Sequence, residues 1–297
     1  MTWYFVCLIQ SLVVAIVFFI DKIVISKWTK NPFQALIVTG IFSLLAAGFV
    51  YFMGGVAQTS FNHILPCVLL GMVYMISFVF YFKSMQRSDV SKFISLAAVS
   101  NILILILAFI LLKESLGLFQ YFGVITITLG SMLMLVKGNE KLQWTSSLKN
   151  ILIYVVMISL TSIAGKYLLG IVDYWTLFFY ENIGMFIASL PIIFINLNGL
   201  KETVNEHGKK VVMWILLSEI LGSLSLILML IAYSLGPVSL VNAFTSIKFI
   251  FVFIISLVLS LFLPQILKED YSNRRDVMQK VLAMVLIAVG SAIIFIK

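Results

Sequence analysis

The sequence predicts an all-α polytopic membrane protein, ten transmembrane helices built as two inverted five-helix repeats. Three observations predict it. The 297 residues are 62% hydrophobic and only 11% charged, against about 45–50% and about 25% in ordinary soluble domains. Charges and turn residues punctuate the chain at intervals of about 20 apolar residues, the length of a spanning helix. Residue patterns also recur in the same order in the two halves.

The ten expected spans are 3–26, 33–54, 62–82, 91–112, 117–136, 150–171, 174–197, 211–235, 238–263 and 278–296. The first lacks the basic flank and small-residue cleavage site of a secretory signal, so it reads as retained. Helix is expected throughout because lipid offers the backbone no hydrogen-bond partners. A transmembrane barrel would show alternating strands of about 10 residues, and these runs do not alternate. The longest expected loops are 137–149, 198–210 and 264–277, so any activity belongs to the bundle or its mouths. Cys7 and Cys67 lie inside apolar runs, and His63 and His207 fall in expected loops. No clustered metal ligands and no disulfide framework are on offer.

Basic residues set the orientation. Fifteen Lys and Arg flank the connections after spans 1, 3, 5, 7 and 9, against Lys113 and Lys297 on the other side. The positive-inside rule puts the fifteen in the cytoplasm and both termini outside. The net charge of +8 is therefore membrane topology and no nucleic-acid face.

The repeat is read from aligned features. Val90-Ser91 and Val238-Ser239 open spans 4 and 9, and Lys113-Glu114 and Lys268-Glu269 follow them. Gly130-Ser131 in span 5 parallels Gly290-Ser291 in span 10, and Lys22 parallels Lys166. The halves are 1–136 and 149–297, joined by a linker at 137–148. Five spans per half is odd, so the halves cross in opposite senses, as in many alternating-access carriers. Gly123 and Gly130, like Ala283 and Gly290, are seven apart on one helix face and suit close packing.

These motifs resemble the EamA-type branch of the drug/metabolite transporter superfamily. The stretch FKSMQRSDVSKFISL…LLKESLGLFQYFGVITITLGSMLML is similar to that family's repeat, as is AYSLGPVSLVNAF…LKED…AVGSAII. The resemblance covers nearly the whole chain. It implies a ten-helix bundle that moves small metabolites, often outward, and names no substrate. The chain departs in its link PQILKEDYSNRRDVMQK, longer than the counterpart in the first half. Its charge count also puts both termini outside, where many family members keep them in the cytoplasm.

Ionisable groups within spans are costly and mark interiors or watery cavities. Here they are Asp21, Lys22, Lys166, Glu181, Glu219 and Lys248. At about 1.5 Å per residue, Lys248 lies about 15 Å deep, near the midplane, and Glu219 about 12 Å from the cytoplasmic face. The two are expected to come within reach of each other. Asn242, Thr245 and Lys248 share one arc of span 9, and Ser100-Asn101 stand at the matching place in span 4. Lys166 and Glu181 fall in the outer half, with Tyr180 and Tyr233 near a vestibule. These residues form the expected substrate-binding set: Lys248, Glu219, Lys166, Glu181, Asn242, Thr245, Ser100, Asn101, Tyr233 and Lys22. Plainer readings stand beside it. Lys22 snorkels to the interface, Glu181 is a solvated rim residue, and Lys248 with Glu219 is a structural bridge. Glu114 and Glu269 read first as helix-end structure.

The function expected is a secondary transporter, an exporter of a small polar or amphipathic metabolite across the plasma (inner) membrane. A buried Lys suits a carboxylate or phosphate, and a buried Glu suits an amine or a coupling proton. Membrane lipid and the solute are the expected partners, and no cofactor is called for. A non-transporting scaffold subunit or a flippase of a lipid-linked substrate is the alternative. An intramembrane enzyme is disfavoured, because HExxH, GxSxG and a mid-span His are all missing. No phosphate-binding GxxxxGK[ST] loop occurs either.

Overall fold

The computed structural model describes residues 2–27, 31, 33–87, 96–133, 146–262 and 274–296. Among these residues every regular element is helical. The helices are α1 Trp3–Lys27, α2 Phe33–Phe52, α3 Phe61–Arg87, α4 Ser100–Leu111, α5 Leu118–Leu133 and α6 Ser146–Leu168. They continue as α7 Tyr174–His207, α8 Lys210–Leu235, α9 Val238–Phe244, α10 Lys248–Phe262 and α11 Arg274–Ile293. Seven segments are long and apolar enough to cross a membrane, one of them running Val238–Val258 through α9 and α10. Ser100–Leu111, Leu118–Leu133 and Val277–Ile293 are shorter apolar helices. The chain is a multi-pass membrane protein. Side chains such as Phe194 and Ile195, 80% and 79% exposed, suit lipid and not water.

Local chemistry sets the helix ends. Asp173 caps α7, accepting from the amides of Trp175 and Thr176 at 2.9 and 3.1 Å. Gly54 ends α2 with φ +70, a left-handed turn that costs glycine little, and the Gly55 amide reaches back to the Val50 carbonyl at 3.1 Å. The Gly236-Pro237 turn separates α8 from α9, with Pro237 supplying an extended backbone before the helix.

Four features differ from expectation. The loop expected at 198–210 is mostly helix, because α7 runs on to His207 and stops at Gly208, φ +76. This extension is amphipathic: Thr203 is buried and donates to Gln34 Oε1 at 2.9 Å, while Lys201, Glu202 and Glu206 are exposed. Polar residues ended the expected span at 197, and the helix runs ten residues further. His207 consequently lies in a helix and not in a loop, and His63 lies in the first turn of α3. Second, α6 begins at Ser146, inside the expected linker. Third, the span expected at 238–263 is interrupted by a 3-10 turn at Thr245–Ile247. The span expected at 91–112 is also tightened. Val99, Asn101 and Ile102 each bond three residues back, to Leu96, Ala98 and Val99, around the start of α4. Residues 91–95, Val90 and Glu269 lie outside the described residues.

Helices pair α2 with α7, α5 with α11, α1 with α8, and α3 with both α6 and α7. Glycines permit the closest approaches. A Cβ at Gly123 would sit 2.9 Å from the Gly290 carbonyl, and one at Gly290 would sit 2.9 Å from the Gly123 carbonyl. Gly130 meets the Ala283 carbonyl in the same seam. The packing role read for these residues is what they have. Gly71 and Gly184 bring α3 and α7 together, where a Cβ would overlap the carbonyls of Glu181 and Val68.

The core is unequal along the bundle. Trp3 stacks on Phe295 at 5.9 Å, so both termini share one end. There, one cluster joins eight helices through Val6, Val50, Ile104, Ile163, Leu177 and Val241, among others. A smaller group at the same end holds Val124, Ile127, Leu240 and Ile294, and two more groups lie toward the other end. Ile20, Val24, Val38, Val211 and Ile215 group on α1, α2 and α8. Leu36, Met75, Ile151, Met185 and Phe249 belong to a second group.

Candidate functional site

A cavity of about 260 Å³ is lined by residues of the large cluster, such as Leu70, Ile104 and Leu230, and of the second group, such as Met185 and Phe249. The break between α9 and α10 builds one wall. Within the 3-10 turn the Thr245 carbonyl accepts from the Lys248 amide and, across helices, from Ser11 Oγ at 3.2 Å. Asn101 Nδ2 donates to Ser246 Oγ at 2.9 Å, tying the tightened start of α4 to the same turn. Lys248 begins α10 just past the break. Its Nζ lies 5.4 Å from the Phe249 ring centroid, within cation–π range.

Eight of the ten residues read from the sequence line this cavity: Lys248, Glu219, Glu181, Asn242, Thr245, Ser100, Asn101 and Tyr233. Lys166 and Lys22 are not among its lining residues. Lys166 Nζ donates to the carbonyls of Tyr233 and of Gly236, the latter at 2.9 Å. It thus answers the exposed carbonyls at the C-terminus of α8. Glu114 does the converse for α9. Its carboxylate accepts from the Val238 amide at 2.8 Å and from Ser239 Oγ at 3.0 Å. A cation at a helix C-terminus and an anion at the next N-terminus both complement the helix dipoles.

The expected meeting of Lys248 with Glu219 is not formed. Glu219 Oε1 accepts from Thr39 Oγ1 at 2.6 Å, and Lys248 makes its close contact with Phe249. Glu181 is no rim residue, being 3% exposed, and its Oε2 has no hydrogen-bond partner. The Tyr233 hydroxyl lies 3.1 Å from both Ser162 Oγ and Asn242 Oδ1, donating to one at a time.

The cavity has other residues that sequence reasoning did not assign to it. Asp21 lines it, accepting from Ser218 Oγ at 2.6 Å and from the Tyr81 hydroxyl at 3.2 Å. Gln10 lines it too, with Nε2 on Ser225 Oγ at 3.1 Å. Phe18, Tyr74, Phe78, Tyr81 and Tyr154 form an aromatic wall. The ring centroids of Tyr74 and Phe78 are 4.9 Å apart, those of Phe78 and Tyr81 6.0 Å, and those of Tyr81 and Tyr154 5.8 Å. A signal existed for Asp21, an acid inside an apolar span. Gln10 and the tyrosines gave none, since aromatic residues are as common at lipid interfaces. Among the described residues, no three His, Cys, Asp or Glu are grouped to hold a metal ion.

Residues 1–136 match the EamA-like transporter family. The resemblance read from the motifs therefore holds over that stretch. The EamA-like segment supplies Gln10, Asp21, Thr39 and Asn101 to the cavity, and the rest of the chain supplies Glu181, Glu219 and Lys248. No curated protein matches the chain. A solved structure described as "Crystal structure of protein" is similar over 99% of this chain and 95% of its own, with TM-score 0.64 and 15% identity. At that identity the likeness is one of fold.

Proposed function

We propose that the chain is a secondary transporter that exports a small polar or amphipathic metabolite across the plasma membrane. It works by alternating access around the central cavity. The observation that carries this reading is the cavity itself: four ionisable side chains, Asp21, Glu181, Glu219 and Lys248, line a space inside an apolar bundle. Such groups are expensive in a membrane and collect on solute and ion paths.

The two halves, 1–136 and 149–297, are inverted five-span repeats in this reading. Two hydrogen bonds support the repeat. Ser11 donates to the Thr245 carbonyl at 3.2 Å, and Ser159 donates to the Ser100 carbonyl at 3.5 Å. The donors Ser11 and Ser159 are 148 apart in the chain and the acceptors Ser100 and Thr245 are 145 apart, so the two contacts correspond to within one helical turn. Span 1 thus braces the broken span of the second half, and span 6 does the same for the first. The end carrying the termini faces outward, in keeping with the charge count, and the largest core cluster, which joins eight helices there, makes it the closed side. A carboxyl of the cavity takes the coupling proton.

Uptake and efflux in proteoliposomes, over a metabolite panel with and without a pH gradient, test this. The parent is expected to move at least one solute of the panel, faster with the gradient. Lys248→Ala and Glu219→Ala are each expected to lower the rate at least about tenfold, equivalent to about 1.4 kcal/mol. Two variants that move solute like the parent would overturn the site assignment. A folded parent that moves nothing would overturn the transport reading.

A further inference from the structure

We propose that Glu181 and Gln10 form a subsite for the protonated amine of a one-ring organic solute, whose apolar body lies on the aromatic wall of the cavity. This rests on the transport reading and names the class of solute.

The charge balance of the cavity comes first. Three carboxyl groups line it, Asp21, Glu181 and Glu219, against the single ammonium of Lys248, and no Arg or His is among the lining residues. Even with one carboxyl protonated, ionised carboxylates outnumber the ammonium, so a cation is favoured over an anion.

Hydrogen-bond accounting then singles out where the cation sits. Asp21 and Glu219 already accept from Ser218, Tyr81 and Thr39. Glu181 Oε2 and Gln10 Oε1 are buried acceptors with no partner, on side chains 3% and 6% exposed that line the same cavity. Buried acceptors are rarely left unmatched, because stranding one costs its desolvation. Both need donors. A primary ammonium carries three donors and no acceptor. A carboxylate solute carries only acceptors and leaves both unmatched.

The wall fits the rest of such a solute. Phe18, Tyr74, Phe78, Tyr81 and Tyr154 offer ring faces and edges to a flat apolar body, and their faces also attract a cation. At about 260 Å³ the space falls just below the range of about 300–1,000 Å³ for drug-sized ligands. That suits one ring and not a lipid-linked substrate.

The test uses three solutes that share one ring and differ in charge: phenethylamine, phenylacetate and phenylalanine. Equilibrium binding is measured on the full chain in nanodiscs. Phenethylamine is expected to bind at least about tenfold more tightly than phenylacetate, and phenylalanine no more tightly than phenethylamine. Glu181→Gln is expected to weaken phenethylamine at least about tenfold, and Gln10→Leu to weaken it several-fold. Should Glu181→Gln fail to fold, Gln10→Leu decides alone. The proposal is overturned if phenylacetate binds as well as the amine, or if the zwitterion binds better. It is also overturned if none of the three binds, or if the folded variants bind like the parent. Binding needs no gradient, so the two readings fail separately. A parent that binds the amine but moves nothing in proteoliposomes loses the transport reading and keeps the subsite. A parent that moves only acids loses the subsite and keeps transport.

Discussion

Lys248 stands where the chain can least easily carry a charge, and the residue scale shows how the fold accommodates it. The 3-10 turn at Thr245–Ile247 opens the helix one residue before it, and the cavity wall receives the ammonium beside Phe249. Away from the cavity, charges work on helix ends. Asp173→Ala removes the cap of α7 and is expected to cost about 1 kcal/mol, read as a lowered thermal midpoint with unchanged solute specificity. Glu114→Gln keeps a weaker acceptor at the start of α9 but removes the charge. About 0.3–1 kcal/mol is expected, measured the same way and shrinking in high salt. Lys248, Glu219 and Glu181 were legible because an intramembrane charge is costly wherever it occurs. Gln10 was not: a lone amide in an apolar run is equally at home packing helices together. Lys166 misled for a related reason. A charge within a span announces burial but not its partner, and here the partners are main-chain carbonyls that composition cannot reveal.

Among the elements, the seam of α5 and α11 is the tightest test of packing. Gly123, Gly130 and Gly290 allow backbones to touch, and no lipid-excluding drive replaces that contact. Gly290→Leu is therefore expected to destabilise the protein by about 1–3 kcal/mol or more, seen as a lower midpoint in detergent. An unchanged midpoint would contradict the seam. The spacing of seven between Gly123 and Gly130 made this face legible. The break between α9 and α10 was illegible, because NAFTSIKFIF has neither proline nor glycine to signal it. Side chains from other helices, Ser11 and Asn101, satisfy the turn. The long α7 escaped notice because a hydropathy reading stops at the membrane edge.

At the scale of the whole molecule, the multi-pass fold and the EamA-like first half were readable from composition and motif order. Which helices adjoin was not, since contacts such as α2 with α7 join residues more than a hundred apart in the chain. The same holds for the unequal core, whose largest cluster lies toward the end carrying the termini. A carrier must be able to exchange that inequality between its two ends. Cysteine accessibility measures this without knowledge of the solute. Cys7 and Cys67 are buried and are replaced by Ala, and Ser100→Cys puts one thiol on the cavity wall. A membrane-impermeant thiol reagent is then applied to each face of the membrane separately. The account predicts reaction from both faces, slower from the face carrying the termini, and slowed further by a transported solute. Reaction from one face only, or from neither, would contradict it.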